Sequence, residues 1–234
     1  MISCNEIIRG ISFPDVYVVG TMGFLFAPTP RLLPAEQTLP GRSEPILAAP
    51  QPHAVLGTPI TGPWKPGQRR LRLGIGCFWG AEKMFWELDG VESTSVGYGG
   101  GVTPNPTYGE VCTGKTNHTE VVEVVYDPEK ISLKELVRTA LEAHDPTQGY
   151  RQGNDTGTQY RSAFYPDTEE EAAQIQQWCD AYGAQLSQAG YGEMTTEVRA
   201  GVDYYLAEDE HQQYLHKVPN GYCPHHSTGV ACGI

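Results

Sequence analysis

Residues 71–90 read LRLGIGCFWGAEKMFWELDG, and this stretch decides how the folded body begins. Apolar residues alternate over 71–75, which is the period of a half-buried strand. A short helical pattern follows through Phe85 and Leu88, and Asp89-Gly90 marks a turn. We therefore expect a strand that ends near Gly76 and a helix whose first turn contains Cys77.

The rest of the body alternates in the same way. Ser132 and Thr168 each precede a glutamate by three residues, the pattern of a capping box, and each is followed by apolar residues at helical spacing. Further strands are predicted over 120–126, 161–165 and 195–199. This order predicts an α+β fold, a ferredoxin-like two-layer sandwich of a mixed sheet with helices on one face, with an extended irregular C-terminal segment.

The composition of the 234-residue chain changes near residue 70. Eleven of the 18 prolines precede that point, where bases slightly outnumber acids, whereas the remainder is strongly acidic. Proline fixes φ and removes a backbone donor, so long helices and central strands are not expected there. We predict an irregular, partly disordered leader over 1–69 and a catalytic domain over 70–234.

Charge and hydropathy exclude several classes of function. The net charge of -12 argues against a nucleic-acid partner, and no apolar run reaches the roughly 18 residues of a membrane span. Six irregularly spaced cysteines indicate thiol chemistry or chance rather than a disulfide scaffold. The apolar run over 16–27 is either a targeting signal or an ordinary stretch of the leader. We predict a cytoplasmic protein, unless the leader acts as a targeting segment.

Cys77 is the candidate nucleophile. A thiolate in the first turn of a helix faces backbone N–H groups and the positive end of the helix dipole, and both predict a lowered pKa. Two classes of enzyme use such a cysteine. One is a papain-like Cys/His hydrolase, with His211 and Asn220 downstream. The other is a redox enzyme in which Cys223 or Cys232 resolves an oxidised Cys77.

Four blocks of sequence favour the second class: GCFWGAE at 76–82, GGVTPNPTYGEVCTGKTNHTEVV at 100–122, HDPTQGYRQGNDTGTQYRSAFY at 144–165 and AEDEHQQYLHKVPNGYC at 207–223. With these blocks in this order, the chain resembles the A-class peptide-methionine (S)-S-oxide reductases over roughly residues 70–234. The resemblance implies thiol-dependent reduction of the S epimer of methionine sulfoxide, protein-bound or free, in repair of oxidised proteins.

The resemblance also implies roles for individual residues. Cys77 matches the attacking thiolate, and Glu120 matches the acid that protonates the sulfoxide oxygen. Tyr108 and Tyr160 match two tyrosines that hydrogen-bond this oxygen, a task suited to neutral O–H donors. Asp155 matches an acidic residue that helps to build the site.

Binding and recycling follow from the same comparison. Phe78 and Trp79 would cradle the S-methyl group. A sulfenic acid on Cys77 would be resolved by Cys223 and then by Cys232, and thioredoxin or another dithiol reductant would reduce the resulting disulfide. The implied protein is a monomer that needs no metal or organic cofactor.

The chain departs from the usual family pattern in places. The linker after Cys223 is Pro-His-His rather than glycine-rich, which puts transfer of the disulfide to Cys232 in question. His225 and His226 with the two cysteines could chelate Zn²⁺ fortuitously, but ligands in a tail are not pre-placed, and we predict no native metal site. Other departures are Asn117, Thr119, Thr156 and Tyr150. No role is assigned to Cys4, Cys112 or Cys179, although Cys179 fits a core position of its helix.

Overall fold

A computed structural model describes residues 29–223 and 226–234. Its strands are β1 Arg69–Ile75, β2 Val91–Gly99, β3 Thr119–Tyr126, β4 Arg151–Gln152, β5 Asp155–Thr156, β6 Ser162–Tyr165, β7 Glu197–Val198 and β8 Tyr204–Leu206. Its α-helices are α1 Phe78–Trp86, α2 Tyr108–Cys112, α3 Leu133–Ala143, α4 Glu169–Gln188 and α5 Tyr214–Lys217. No helix in the described part of the chain is both long and apolar enough to cross a membrane.

Six strands form one sheet in the order β7-β6-β1-β3-β2-β8. The four central strands, β6, β1, β3 and β2, pair with one another antiparallel, and α1 and α3 provide the two crossover connections. This arrangement is the split βαβ pattern of a ferredoxin-like sandwich. β8 adds to one edge antiparallel and β7 adds to the other parallel, which makes the sheet mixed, as predicted. Strands β4 and β5 form a separate small hairpin.

The main core lies between the sheet and helices α1, α3 and α4. Alternate residues of β3 face this layer, so Val122 and Val124 join the main cluster, whereas Val121 joins a smaller cluster on the opposite face. The helices contribute Phe85, Leu136, Ala140, Ile175 and Leu186, among others. The predicted two-layer architecture is therefore confirmed.

The sequence did not reveal strand β2, whose sequence is VESTSVGYG. Its Ser93, Thr94 and Ser95 are buried, but each has a hydrogen-bond partner outside the strand. The Ser93 hydroxyl donates to the Pro59 carbonyl (2.8 Å), and the Ser95 hydroxyl lies 2.9 Å from the hydroxyl of Tyr204. Because these partners come from the tertiary fold, no local hydrophobic pattern marks the strand.

The helix starts agree with the predicted caps only in part. The hydroxyls of Ser132 and Thr168 accept hydrogen bonds from the amides of Glu135 and Glu171. The Glu171 carboxylate, however, forms an ion pair with Arg69. The complete, reciprocal capping box lies at the start of α2, between Thr107 and Glu110.

Residues 29–68 pack against the body. The Asn117 side chain bonds both the amide and the carbonyl of Leu33 (2.9 and 2.8 Å), and Arg42 makes a two-pronged contact with the Glu110 carboxylate. His53 is 1% exposed. This part of the leader is irregular, as the prolines predict, yet it covers the domain. The rest of the predicted leader, and the apolar run over 16–27, lie outside the described residues.

Candidate active site

Cys77 is the N-cap residue of α1, directly after β1. The preceding Gly76 has a φ of +97°, and a Cβ at this position would lie 2.8 Å from the Gln152 side chain. Only glycine fits here, and the turn brings the sulfur to the start of the helix. The backbone amides of Trp79 and Gly80 act on Cys77 in the direction that lowers its pKa and favours its thiolate. The predicted position of the thiol is thus confirmed.

The predicted lowering of the Cys77 pKa is wrong. Burial raises this pKa well above its ordinary value, and the nearby carboxyl of Glu120 raises it further. The two amides act in the opposite direction but do not outweigh desolvation. The resting group is therefore a thiol, although its helix position is the one expected to favour a thiolate.

Glu120 lies in β3 and is 1% exposed. Burial raises its pKa to about 8, and the negative charge of Asp155 contributes to the rise. Its Oε2 accepts the amide of Phe78, the residue next to Cys77, at 3.0 Å. Glu120 is consequently a neutral carboxylic acid at pH 7, held close to the thiol.

Two tyrosines and an aspartate complete this group. Tyr108 begins α2, and Tyr160 closes a 3₁₀ turn next to β6. Burial raises the pKa of Tyr160 well above its ordinary value, and Glu120, Tyr108, Asp155 and Cys77 all contribute to the shift. The structure therefore brings together, from four separate segments, the polar residues that the sequence comparison selected. Tyr160 stays protonated and can act as a hydrogen-bond donor.

An aromatic wall borders these polar groups. Phe78 and Trp79 are buried, and each ring centroid lies 6.4 Å from that of Tyr108. His211 packs on Tyr108 with a centroid distance of 4.4 Å, and Tyr214 stacks on Trp79 at 4.0 Å. Such a wall suits an apolar methylthio group and excludes water.

His211 is a member of this wall rather than a base for Cys77. Its Nδ1 lies 3.3 Å from the indole Nε1 of Trp79, which donates to it, and burial lowers the pKa of the imidazole. Asn220, the other residue considered for a hydrolase, is exposed. The geometry therefore does not pair Cys77 with His211 in the way that a papain-like hydrolase needs.

Glu208 is a site residue that the sequence reasoning missed. Its carboxylate accepts the Tyr98 hydroxyl at 2.9 Å and the Tyr108 amide at 2.8 Å, so it fixes the start of α2 next to the site. Glu208, His211 and Tyr214 follow one another at intervals of three residues. This spacing within the 207–223 block could have indicated that the three side chains lie on the same side of their segment.

The two predicted resolving cysteines lie in different surroundings. Cys223 is partly buried. The charges of Lys83, which lies in α1, and of Glu87, the C-cap residue of α1, influence the pKa of its thiol. Cys232 is 6% exposed, and its amide donates to the Glu142 carboxylate at 2.7 Å. Cys77, Cys223 and Cys232 are thiols in this structure. Pro224 and His225 lie outside the described residues, so one of the four ligands considered for zinc is not described.

The unassigned cysteines differ as well. Cys179 is buried in the core face of α4, as expected from its helical spacing. Cys112 is buried beside Tyr160 and Tyr108, directly behind the site. Cys4 lies outside the described residues.

The family model of peptide methionine sulfoxide reductase matches residues 69–231 of this chain. The chain belongs to this family. The MsrA of Corynebacterium efficiens is 66% identical over 215 residues, covering 91% of this chain and 99% of the relative. The MsrA of Corynebacterium glutamicum is 63% identical over 217 residues, covering 91% and 99%.

Two solved structures are similar to this chain. The methionine sulfoxide reductase A of Corynebacterium diphtheriae has a TM-score of 0.80 and 58% sequence identity, and the match covers 88% of this chain and 99% of that one. Reduced Mxr1 from Saccharomyces cerevisiae has a TM-score of 0.63 and 33% identity, with 70% and 94% covered. The reductase fold therefore extends over the whole domain.

One departure from the usual reductase sequence has a structural explanation. Asn117, one of the departures from the family pattern noted above, has a φ of +59°. Asparagine tolerates this left-handed conformation better than most residues. Its amide gains the two bonds to Leu33 described above, which tie residues 29–68 to the strand that carries Glu120.

Proposed function

We propose that this protein reduces the S epimer of methionine sulfoxide, protein-bound or free, to methionine, through a sulfenic acid on Cys77. The observation that carries the proposal is the placement of Cys77 beside Glu120, a buried carboxyl whose pKa of about 8 keeps it protonated at neutral pH. A thiol, a neutral acid and an aromatic wall are the three components that sulfoxide reduction requires.

Binding is assigned to the aromatic wall and the hydroxyls. The S-methyl group would lie against Phe78 and Trp79, and the sulfoxide oxygen would face the hydroxyls of Tyr108 and Tyr160. Because the methyl and the oxygen are held on different sides of the site, only one configuration at sulfur lets the remaining substituent, the substrate chain, leave the site while the sulfur faces Cys77. The shape of the site thereby selects one epimer.

The chemical step couples a proton to a two-electron transfer. Cys77 attacks the sulfoxide sulfur as Glu120 delivers its proton to the oxygen, which would otherwise leave as a strong base. The S–S bond formed in the attack and the S–O bond of the substrate then break as the oxygen passes to the Cys77 sulfur. Methionine leaves, Cys77 becomes a sulfenic acid, and the thiol proton of Cys77 replaces the proton that Glu120 gave. The amides of Trp79 and Gly80 stabilise the negative charge on the sulfur during the attack.

Recycling is assigned to the tail. Cys223 attacks the sulfenic acid, which releases water and forms a disulfide with Cys77; Cys232 then attacks Cys223 and frees Cys77. Since Cys232 is buried against α3 and α4, the tail must leave this position before the second exchange. A dithiol reductant such as thioredoxin would reduce the final disulfide. We propose that the protein works as a monomer in the cytoplasm, where such reductants keep thiols reduced.

The proposal is tested by single-turnover reduction with the resolved epimers. Pre-reduced protein is mixed with S or R methionine sulfoxide, without added reductant, and the methionine and remaining thiols are counted. We expect methionine from the S epimer only, with at least two thiols lost per protein. Methionine from neither epimer, or peptide-bond cleavage instead, would refute the reductase assignment.

The resolving roles predict a stall after the first reduction. In Cys223→Ser, the first methionine should form at the wild-type rate, and steady-state turnover with thioredoxin should then stop because Cys77 remains a sulfenic acid. Cys232→Ser should complete the disulfide between Cys77 and Cys223 before it stalls. Rapid quenching and mass spectrometry distinguish these end states, and loss of the first methionine in Cys223→Ser would contradict a purely recycling role.

A further inference from the structure

A histidine from the C-terminal tail lies at the cavity beside Cys77. The cavity has a volume of about 20 Å³, and its lining includes Cys77, His144, Asp155 and His226. A polar cavity of this size admits about one water molecule. Gly80 and Ala81 of α1 also line the cavity, whereas Phe78 and Trp79 of the aromatic wall do not.

His226 is seated on the hairpin formed by β4 and β5. Gly153 has a φ of +59°, and a Cβ at that position would overlap the imidazole ring of His226. The ring therefore packs directly on the hairpin backbone. Its Nε2 is buried and has no hydrogen-bond partner within the described part of the chain. Buried polar atoms without a partner are uncommon, and one beside a nucleophile points to a function.

The other histidine of the cavity cannot move protons. The Nδ1 of His144 is bonded to the Ala140 carbonyl and its Nε2 to the Ser162 hydroxyl, both at 2.7 Å. Burial lowers the pKa of His144 to about 4, so it stays neutral at physiological pH. Among the imidazoles of this cavity, His226 is the one with an uncommitted nitrogen.

The resolving step needs a group of this kind. When Cys223 attacks the Cys77 sulfenic acid, an S–S bond forms, the S–O bond breaks, and the oxygen leaves as hydroxide unless it gains a proton. Burial raises the pKa of Cys223, so its thiol must also lose a proton before or during the attack. A single group that accepts the proton of the Cys223 thiol and donates a proton to the leaving oxygen would release that oxygen as water, with no net change in protons.

We propose that His226 is the proton-transfer residue of the resolving step, accepting the thiol proton of Cys223 and delivering it to the oxygen that leaves Cys77. The inference rests on the proposed function. His226 follows Cys223 by three residues, so the histidine at the cavity beside Cys77 and the resolving thiol belong to the same short segment of the tail. The titratable groups that face it are Cys77 and His144 across the cavity and Asp155 on the hairpin, whose carboxylate also accepts the Tyr222 hydroxyl.

The test separates methionine formation from disulfide formation. Pre-reduced Cys232→Ser protein, with and without His226→Asn, is mixed with S-methionine sulfoxide and quenched at short times. Methionine, the disulfide between Cys77 and Cys223, and dimedone-trapped Cys77 sulfenic acid are then measured. We expect the same methionine burst in both proteins, disulfide formation slowed about 10²-fold by His226→Asn, and a long-lived dimedone-reactive species.

Chemical rescue distinguishes proton transfer from tail positioning. In His226→Gly, added imidazole should restore much of the rate of disulfide formation, whereas His216→Asn, at an exposed histidine of α5, should match the parent protein. An unchanged disulfide rate in His226→Asn, a slowed methionine burst, or a slow disulfide rate that imidazole does not restore would each overturn the role. Absence of methionine from the parent protein itself would instead refute the proposed function.

Discussion

Replacement of Cys77 by serine is expected to abolish methionine sulfoxide reduction. A serine hydroxyl is a far weaker nucleophile, and it cannot take up the oxygen as a sulfenic acid. Removal of an enzyme's nucleophile can cost on the order of 10⁶-fold in rate. We therefore expect turnover below detection, measured as methionine formed from S-methionine sulfoxide with excess dithiothreitol.

The structure also supplies the control for this loss. Cys179→Ala removes another buried cysteine, in the core face of α4 and outside the site, and should retain wild-type activity. The circular dichroism spectra of both variants should match that of the wild type, because the N-cap position of Cys77 makes no side-chain cap bond. Appreciable turnover by Cys77→Ser would contradict the assignment of the nucleophile.

Replacement of Glu120 by glutamine is expected to lower the rate of methionine formation by about 10²- to 10⁴-fold. Glutamine keeps the size and the hydrogen bond to the Phe78 amide but has no proton to give. The relevant measurement is the single-turnover rate rather than the steady state, because recycling can limit the latter. Glu129→Gln, at an exposed carboxylate after the same strand, should leave this rate unchanged.

The same carboxyl predicts a pH dependence. Because burial raises the pKa of Glu120 to about 8, the acid is protonated below this pH and is lost as the pH rises through it. The single-turnover rate of the wild type should therefore fall above about pH 8, and this fall should be missing in Glu120→Gln. A wild-type rate that keeps rising through pH 9, or a Glu120→Gln variant with an unchanged rate, would contradict the acid role.

The contrast between Cys77 and Glu120 has a mechanistic consequence. Both groups are buried, and both pKa values are raised, so the resting site holds no net charge on the reacting atoms. Neutral reacting groups receive a neutral sulfoxide without placing an unpaired ion against the low-dielectric aromatic wall. The charge separates only during the attack, when the amides at the start of α1 and the acid proton are both in place.

The sequence predicted correctly those elements that are formed by interactions between neighbouring residues. The alternation over 71–75 and the glycine before Cys77 are such cases, and the structure places the strand, the turn and the helix there. The β-branched run of β3 is another. The four sequence blocks were sufficient to predict the family, which the comparisons confirmed.

Other features escaped the sequence because their causes lie in distant segments. Strand β2 is polar, and its buried hydroxyls are satisfied by Pro59 and Tyr204, which no local pattern connects to it. Glu208 and His211 reach the site only because β8 pairs with β2 and directs the following segment over α1. His226 was considered only as an adventitious metal ligand.

Residue identity and local backbone geometry were thus determined by the sequence itself: a thiol at a helix start, an acid at the head of an apolar strand, and tyrosines within recognisable blocks. The direction of each pKa shift was decided by the tertiary structure. The predicted lowering at Cys77 failed because helix-start amides act locally, whereas desolvation depends on everything packed around the sulfur. Only the folded chain determines how much water reaches Cys77 and Glu120, and this exclusion of water makes the thiol and the acid a reactive pair.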